Sequence, residues 1–340
     1  MRLPTPPTVN EIEVHTPRIG SLRDGIPRPF WSVMIPNYEN GRFLRRTLES
    51  VLCQDLGPQR MQIEVVDGGS RRDDPEKVVV ELGQGRVSFH RLPSNKGPAH
   101  TFNACIERAH GHWVHILHGD DMVLPGFYEA YAAVIDTYPA ARTVLGQAVT
   151  IDESDRWIGL YGPTPPVGGG VLERFVEQQA TQQLVLFPSV VVSREAYEKV
   201  GGFCELFSHV TDWDMWFRLG RLAPVACVPH PRALYRLHGE SDTSKQRVSA
   251  SNIREWYLLV MLNLARLGDG PPPPGASSWR ARLAAYADAS AWQLDSNNST
   301  EGRYNQARWA WMLDPTRGRM VMLVKSWLKH KLKSGDGGAT

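Results

Sequence analysis

An α/β fold, with a mostly parallel central sheet flanked by helices and a C-terminal helical extension, is what this sequence predicts. Three observations predict it. Between Phe30 and Leu117 short apolar, β-prone runs alternate with amphipathic helical segments, the rhythm of strand–helix–strand units in a parallel sheet. Beyond Ser241 the alternation stops and only helical spacing remains. The chain of 340 residues, 42% hydrophobic and 22% charged, is long enough for one large or two moderate domains with an ample core.

Taken in order, residues 1–29 are rich in proline (4, 6, 7, 17 and 27 among them) and lack periodicity, so they form an extended arm packed on, or trailing from, the body. FWSVMIP (30–36) is a strand. GRFLRRTLESVLCQ (41–54) is an amphipathic helix with Phe43, Leu44, Leu48, Val51 and Leu52 on one face. MQIEVVD (61–67) is a second strand, followed by a polar turn and a helix near 75–82. RVSFHRL (86–92) is a third strand, and 98–109 is a helix with Ala99, Phe102, Ile106 and Ala109 inward. A fourth strand, 112–118, opens GHWVHILHGDDMVLP, in which Asp120 and Asp121 follow a buried apolar run. Acids at that place are solvated, paired or bound to a cation, because an unpaired buried carboxylate is costly.

After Pro125 the pattern gives a helix to about Tyr138, strands near 142–151 and 156–161, and a glycine turn (Gly168–Gly170) leading into a helix over about 171–183. VLFPSVVVS (185–193) is strand-like. A short helix is stopped by Gly201–Gly202, a longer one covers 209–222, and PVACVP and RALYRLHG are two short strands. Helices at about 249–267, 278–295 and 301–313 precede a last one over 319–333. That last helix sets Lys325, Lys329 and Lys333 on one face and Met320, Leu323, Val324, Trp327 and Leu328 on another. Such a helix lies on an anionic membrane surface, packs on its own domain, or builds a homo-oligomer interface.

A net charge of +2 does not point to nucleic acid. The four cysteines are scattered without CxxC spacing, which fits a reducing compartment and argues against zinc. No cationic and apolar leader opens the sequence and no run approaches a membrane span, so a cytoplasmic location is expected, with peripheral contact at the inner face of the membrane as its variant. Neither GxGxxG after the first strand nor GxxxxGK[ST] is present.

The loops PNYENGRFL, DGGSRRDD, NKGPAHTFN and HGDD each follow a strand or feed the next helix, so they converge on one crevice at the carboxyl ends of the strands. Tyr38, Asp67, Lys96 and Asp120 there offer a stacking surface, a base or ribose acceptor, a cation and a metal ligand, a set suited to a nucleotide diphosphate with a divalent ion.

From about Trp31 to Ser244 the chain resembles a family 2 glycosyltransferase of the GT-A (Rossmann-like) fold. The resemblance rests on six blocks in order: SVMIPNYENGRFLRRTLESVLCQ, IEVVDGGS, NKGPAHTFNACIERAHGHWVHILHGDD, FPSVVVSREAYEKVGGF, TDWDMWFRL and YRLHGESDTS. It implies an inverting, metal-dependent transfer from a nucleotide-sugar donor, with UDP-sugar expected, to a glycan or lipid-linked acceptor in polysaccharide biosynthesis. It also implies a transferase domain over 30–244 and a helical extension over 245–340. Carried over by position, Pro36, Tyr38 and Glu39 line base and ribose, and Asp67 contacts the base. Lys96, Asn103, His118 and Gly119 lie beside the donor, and Asp120 holds Mn2+ or Mg2+. Asp212 is the general base, His238 closes on the metal or the diphosphate, and Trp213 either stacks on the acceptor or packs in the core.

Three positions depart from the family pattern. His118 replaces the first acid of DxD, Gly68 replaces the second aspartate of DDGS, and Thr211 replaces the acid before the base. The last change removes a like charge beside Asp212 and is expected to lower its pKa. His118 and Thr211 also motivate a second expectation, a catalytically silent member that binds sugar nucleotide or scaffolds a synthesis complex. A third is a nucleotidyltransferase on a similar sheet, which would release pyrophosphate.

Overall fold

The computed structural model describes residues 3–23, 25, 27–239, 242–268, 273, 275–297 and 299–335. Two compact units divide the chain: a sheet unit (Ile12–Gln179 and Gln183–Leu237) and a helical unit (Met1–Glu11, Ala180–Gln182 and His238–Thr340).

The arm contains a short helix, α1 (Val9–Val14), that its prolines did not suggest. Past it the arm is bound to the sheet unit: Gly202 N donates to Pro17 O at 2.8 Å, Glu205 N to His15 O at 2.9 Å, and Ile19 is buried in the core. The first half of the sheet unit then follows the predicted order: β1 (Trp31–Asn37), α2 (Gly41–Leu52), β2 (Met61–Asp67), α3 (Pro75–Gly83), β3 (Ser88–Arg91), α4 (Pro98–Arg108) and β4 (Trp113–Ile116). β1 pairs parallel with β2 and with β4, and β2 with β3. Alternate residues of β1 serve opposite faces. Val33 and Ile35 meet Leu44, Leu48 and Val51 of α2, whereas Met34 packs with Phe102, Cys105 and Ile106 of α4.

The second half runs β5 (Met122–Val123), α5 (Phe127–Thr137), β6 (Thr143–Leu145), β7 (Ala148–Ile151), β8 (Trp157–Tyr161), β9 (Gly170–Val171), α6 (Phe175–Gln179), a 3-10 turn at Phe187–Ser189, β10 (Val190–Ser193), α7 (Arg194–Val200), α8 (Thr211–Leu222), β11 (Val225–Cys227) and β12 (Ala233–Arg236). The main sheet has the order β3-β2-β1-β4-β10-β6-β11-β9, with β10 and β9 antiparallel to their neighbours. A smaller sheet, β5-β12-β7-β8, carries the chain that leaves the HGDD loop.

Three details differ from expectation. The segment 142–151 is two strands in two sheets, broken at Gly146, where a Cβ would lie 2.6 Å from Val228 Cγ2 and 2.8 Å from the Tyr131 hydroxyl. The glycine turn leads into strand β9, paired with β11, before helix begins. That helix stops at Gln179, whose buried Oε1 accepts from Leu184 N at 3.1 Å, so this glutamine side chain ties down the backbone beyond the helix end.

In the helical unit α9 (Asp242–Ser249), α10 (Ser251–Leu267), α11 (Trp279–Ser296), α12 (Thr300–Leu313) and α13 (Arg317–Gly335) follow one another. Ala284, Ala287 and Ala291 of α11 and Ala307 and Ala310 of α12 are fully buried, small side chains that permit close helix approach. Ser299 caps α12, its Oγ accepting from Gly302 N. Among the described residues no helix is long and apolar enough to cross a membrane.

Candidate active site

The HGDD loop lies against the end of β1. Gly119 N donates to Pro36 O at 3.0 Å, and a Cβ on Gly119 would stand 2.7 Å from Asn37 Oδ1, so any larger residue would displace the Asn37 carboxamide. The His118 ring is stacked on Phe102 (centroids 5.1 Å apart, planes at 10°) and packs against Phe187 at 4.3 Å. This aromatic seat accounts for an imidazole in place of the first acid. His118 Nδ1 is 3.6 Å from Asp121 Oδ2, and Asp120 Oδ2 accepts from Asn40 Nδ2 at 3.3 Å.

Asp121 is buried beneath this pair. Its Oδ1 accepts from Arg236 N at 2.9 Å and its carbonyl from Thr47 Oγ1 at 2.7 Å, while Oδ2 has no hydrogen-bond donor. Burial, and then the charge of Asp120, hold its carboxyl well above the usual carboxylate range. The ligand atoms of His118, Asp120 and Asp121 lie within 4.8 Å of one another. Two hard carboxylates with an under-satisfied buried oxygen, plus an imidazole, fit a divalent cation, which would relieve the repulsion that now raises Asp121.

Arg236, which the sequence reading passed over, secures the same loop. Its side chain is buried, donating from Nε to Asp120 O and from Nη1 to Asp152 O, both at 2.9 Å, pairing with Asp155 at 2.6 Å, and lying over the Phe43 ring at 4.5 Å. An arginine inside a four-residue strand was its signal, since a cation in such a place must be paired.

Around the end of β1, Tyr38 is 42% exposed and Pro36 is buried. Glu39 adopts a positive φ of 53° and accepts from the backbone N–H groups of Arg71 and Arg72, both at 3.0 Å. Its pKa is lowered: burial acts upward, but those two bonds and the Arg72 charge outweigh it. Asp67 is fully buried, with Ser70 Oγ at 2.6 Å, Ser70 N at 3.0 Å and Arg91 Nε at 2.9 Å. The carboxylate expected to read a base is therefore committed to the loop that follows β2. Gly68 has Thr101 Oγ1 3.2 Å from where its Cβ would be, so a second aspartate there would press on that hydroxyl. Lys96 is exposed on the loop before α4.

Two expectations are corrected by burial. Asn103 faces the interior: Nδ2 donates to Phe203 O at 3.0 Å and Oδ1 accepts from Phe203 N at 2.6 Å, tying α4 to the Gly201–Gly202 turn. Trp213 is 1% exposed with Nε1 donating to Gln179 O, so its ring is core and offers no acceptor platform.

Asp212, in the first turn of α8, is half-buried. Oδ2 accepts from Gln183 Nε2 at 2.8 Å and Oδ1 from Trp213 N at 2.7 Å. Burial pushes its pKa up to about 7 against those two bonds, which favour the charged form. This overturns the expectation of a lowered pKa. Thr211 does remove a like charge, donating instead to Cys204 O at 3.0 Å, but desolvation is the larger effect. One turn along α8, Trp216 packs on Phe187 at 5.3 Å, and Phe187 packs on His118. The segment from Gln183 to Phe187 thus holds Asp212 at one end and the metal-fit cluster at the other. His238 is buried and is the first residue of the last segment of the helical unit.

The family model described as Glycosyl transferase family 2 matches residues 32–201. An uncharacterised protein of Mycobacterium tuberculosis is 26% identical over 236 residues, covering 66% of this chain and 73% of that protein. An uncharacterised glycosyltransferase of Rickettsia felis is 24% identical over 64% of this chain, which spans only 36% of that longer relative. Among solved structures, S. aureus TarS 1-349 in complex with UDP-GlcNAc superposes with a TM-score of 0.60 at 14% identity, covering 90% of this chain and 92% of the other.

Proposed function

Because the chain belongs to glycosyl transferase family 2 and has the GT-A fold, we propose that it moves a sugar from a UDP-sugar to a hydroxyl of a glycan or lipid-linked acceptor, inverting the anomeric carbon. The transferase region is 30–244 and the helical extension 245–340. The observation that carries this reading is the Gln183–Phe187 segment, which bonds to a carboxylate poised near neutral pH and packs against a cluster fit for a divalent ion. The UDP-GlcNAc complex of the similarly folded TarS supports the choice of nucleotide.

In this reading Tyr38 stacks on the base over Pro36, Glu39 shapes the ribose side, and Lys96 faces the diphosphate. His118, Asp120 and Asp121 hold Mn2+ or Mg2+, whose positive charge, when bound, opposes the charge that develops on the leaving diphosphate. Asp212 takes the proton of the acceptor hydroxyl as that oxygen attacks. A base with a pKa near 7 is matched to that task, being largely ionised just above neutrality yet basic enough to bind the proton. Each carboxylate oxygen accepts one bond, Oδ2 from Gln183 Nε2 and Oδ1 from Trp213 N, which fixes the orientation of the group and leaves further lone pairs for the proton. We place the reaction in the cytoplasm. Release of nucleoside diphosphate across a donor panel tests the proposal: UDP released from one UDP-sugar supports it, whereas no release from any donor together with pyrophosphate released from UTP and a sugar 1-phosphate would assign a nucleotidyltransferase.

A further inference from the structure

Helix α13 turns its polar side inward and its apolar side to solvent. Inward, Arg319 Nε donates to Asp288 Oδ2 at 2.8 Å, the buried Ser326 Oγ accepts from Arg303 Nε at 3.0 Å, and His330 stacks on Tyr304. At its flank Lys329 Nζ donates to Asp295 Oδ1 at 2.6 Å. Outward, Val321, Val324 and Leu328 follow one another at i, i+3 and i+7, with Leu332 one turn on. They are 48%, 46%, 48% and 73% exposed, and Met320 and Trp327 border them at 40% and 44%. On α11, Trp292 falls between Asp288 and Asp295 on the face that reaches α13, and is itself 78% exposed. Large apolar side chains left in water along one helix side mark a surface that something else covers.

The charge around the stripe says what. Between Pro315 and Lys333 there are six cations and no acid. Arg319 and Lys329 are paired with aspartates of this unit. Arg317 and Lys331 share the arc of Val324 and Leu328, and Lys325 stands at its edge. A two-fold contact between copies through this side would set those cations against one another. An anionic bilayer satisfies both features, with tryptophan and aliphatic side chains at the headgroup–acyl boundary and cations against lipid phosphates. We propose that the outward side of α13 docks on an anionic lipid surface through Val321, Val324, Trp327, Leu328 and Leu332, with Arg317, Lys325 and Lys331 contacting phosphates. This stands independently of the transferase reading.

Co-sedimentation of the full chain with phosphatidylcholine–phosphatidylglycerol vesicles, against pure phosphatidylcholine, tests it. Wild type is expected to bind the mixed vesicles and to leave the neutral ones. The Val324→Asp/Leu328→Asp variant should lose binding with its circular dichroism and nucleotide release unchanged. Arg317→Gln/Lys325→Gln, which leaves the apolar stripe intact and covers the case that the first variant fails to fold, should weaken binding about tenfold. Equal binding to neutral vesicles, or wild-type binding by a folded variant, overturns the proposal. So does a concentration-dependent dimer in sedimentation velocity that Leu328→Asp dissolves, which would assign the face to a second copy.

Discussion

Gln183 Nε2 donates to Asp212 Oδ2 at 2.8 Å, and the carbonyl of the same glutamine accepts from the Tyr161 hydroxyl at 2.6 Å. The carboxylate proposed as base is therefore held by a neutral side chain whose own backbone is anchored to strand β8. Replacing the donor with an apolar group of similar size, Gln183→Leu, removes a bond that favours the charged form. The acidic limb of the pH–kcat profile should move up by about one unit and kcat at pH 7 should fall about fivefold, with donor KM little changed.

The sign of the pH effect on stability follows from the same raised pKa. Unfolded, Asp212 titrates near its ordinary value of 3.8. Folded, it titrates at about 7, so between those values the native state binds more protons and stability falls as pH rises. Asp212→Asn removes that loss. The variant should gain about 1–2 kcal/mol over wild type between pH 5 and pH 8, read by urea unfolding at both.

Asp120→Asn weakens the hard oxygen set while leaving room for the Asn40 contact. UDP with Mn2+ should raise the wild-type melting temperature, and chelation should abolish that rise. The variant should show the rise only at about tenfold higher metal, while His118→Asp, which restores the first acid, should show it at lower metal.

Tyr38→Ala removes a ring that is 42% exposed. Stacking on a base is worth about 1–3 kcal/mol, so UDP affinity by calorimetry should fall about tenfold or more with the melting temperature of the free protein unchanged.

Gly202→Ala places a Cβ against the Asn103 carboxamide oxygen and 3.0 Å from Pro17 Cγ, where the arm crosses the turn. Overpacking of this kind costs about 1–3 kcal/mol. Denaturant unfolding should show that loss, and Asn103→Ala should show a comparable one by leaving Phe203 N without an acceptor.

What the sequence made legible was whatever depends on local pattern. Strands such as VMI and VVD alternate into two cores, helix α2 buries the face its spacing marked, and the loops stand at strand ends where ligands bind. What escaped it depends on tertiary burial. Neighbouring charge alone suggested a lowered pKa for Asp212, and Trp213 read equally well as platform or core. Asn103 read as a donor contact until the turn it bonds to was in place. Segment 171–183 read as helix because the pairing of β9 with β11 is non-local. Arg236 was readable in principle, as a cation next to leucine and tyrosine in a short strand.

The central claim is that Asp212 performs acceptor deprotonation in a UDP-sugar transferase. UDP release from a panel of UDP-sugars with Mn2+ and a glycan acceptor, comparing wild type with Asp212→Asn, tests it most directly. Wild type is expected to release UDP and the variant to lose about 100-fold or more in kcat, with saturable UDP binding retained by both. Equal release by the two proteins would contradict the assignment of the base, and saturable UDP binding without release from any donor would make this a silent member of the family.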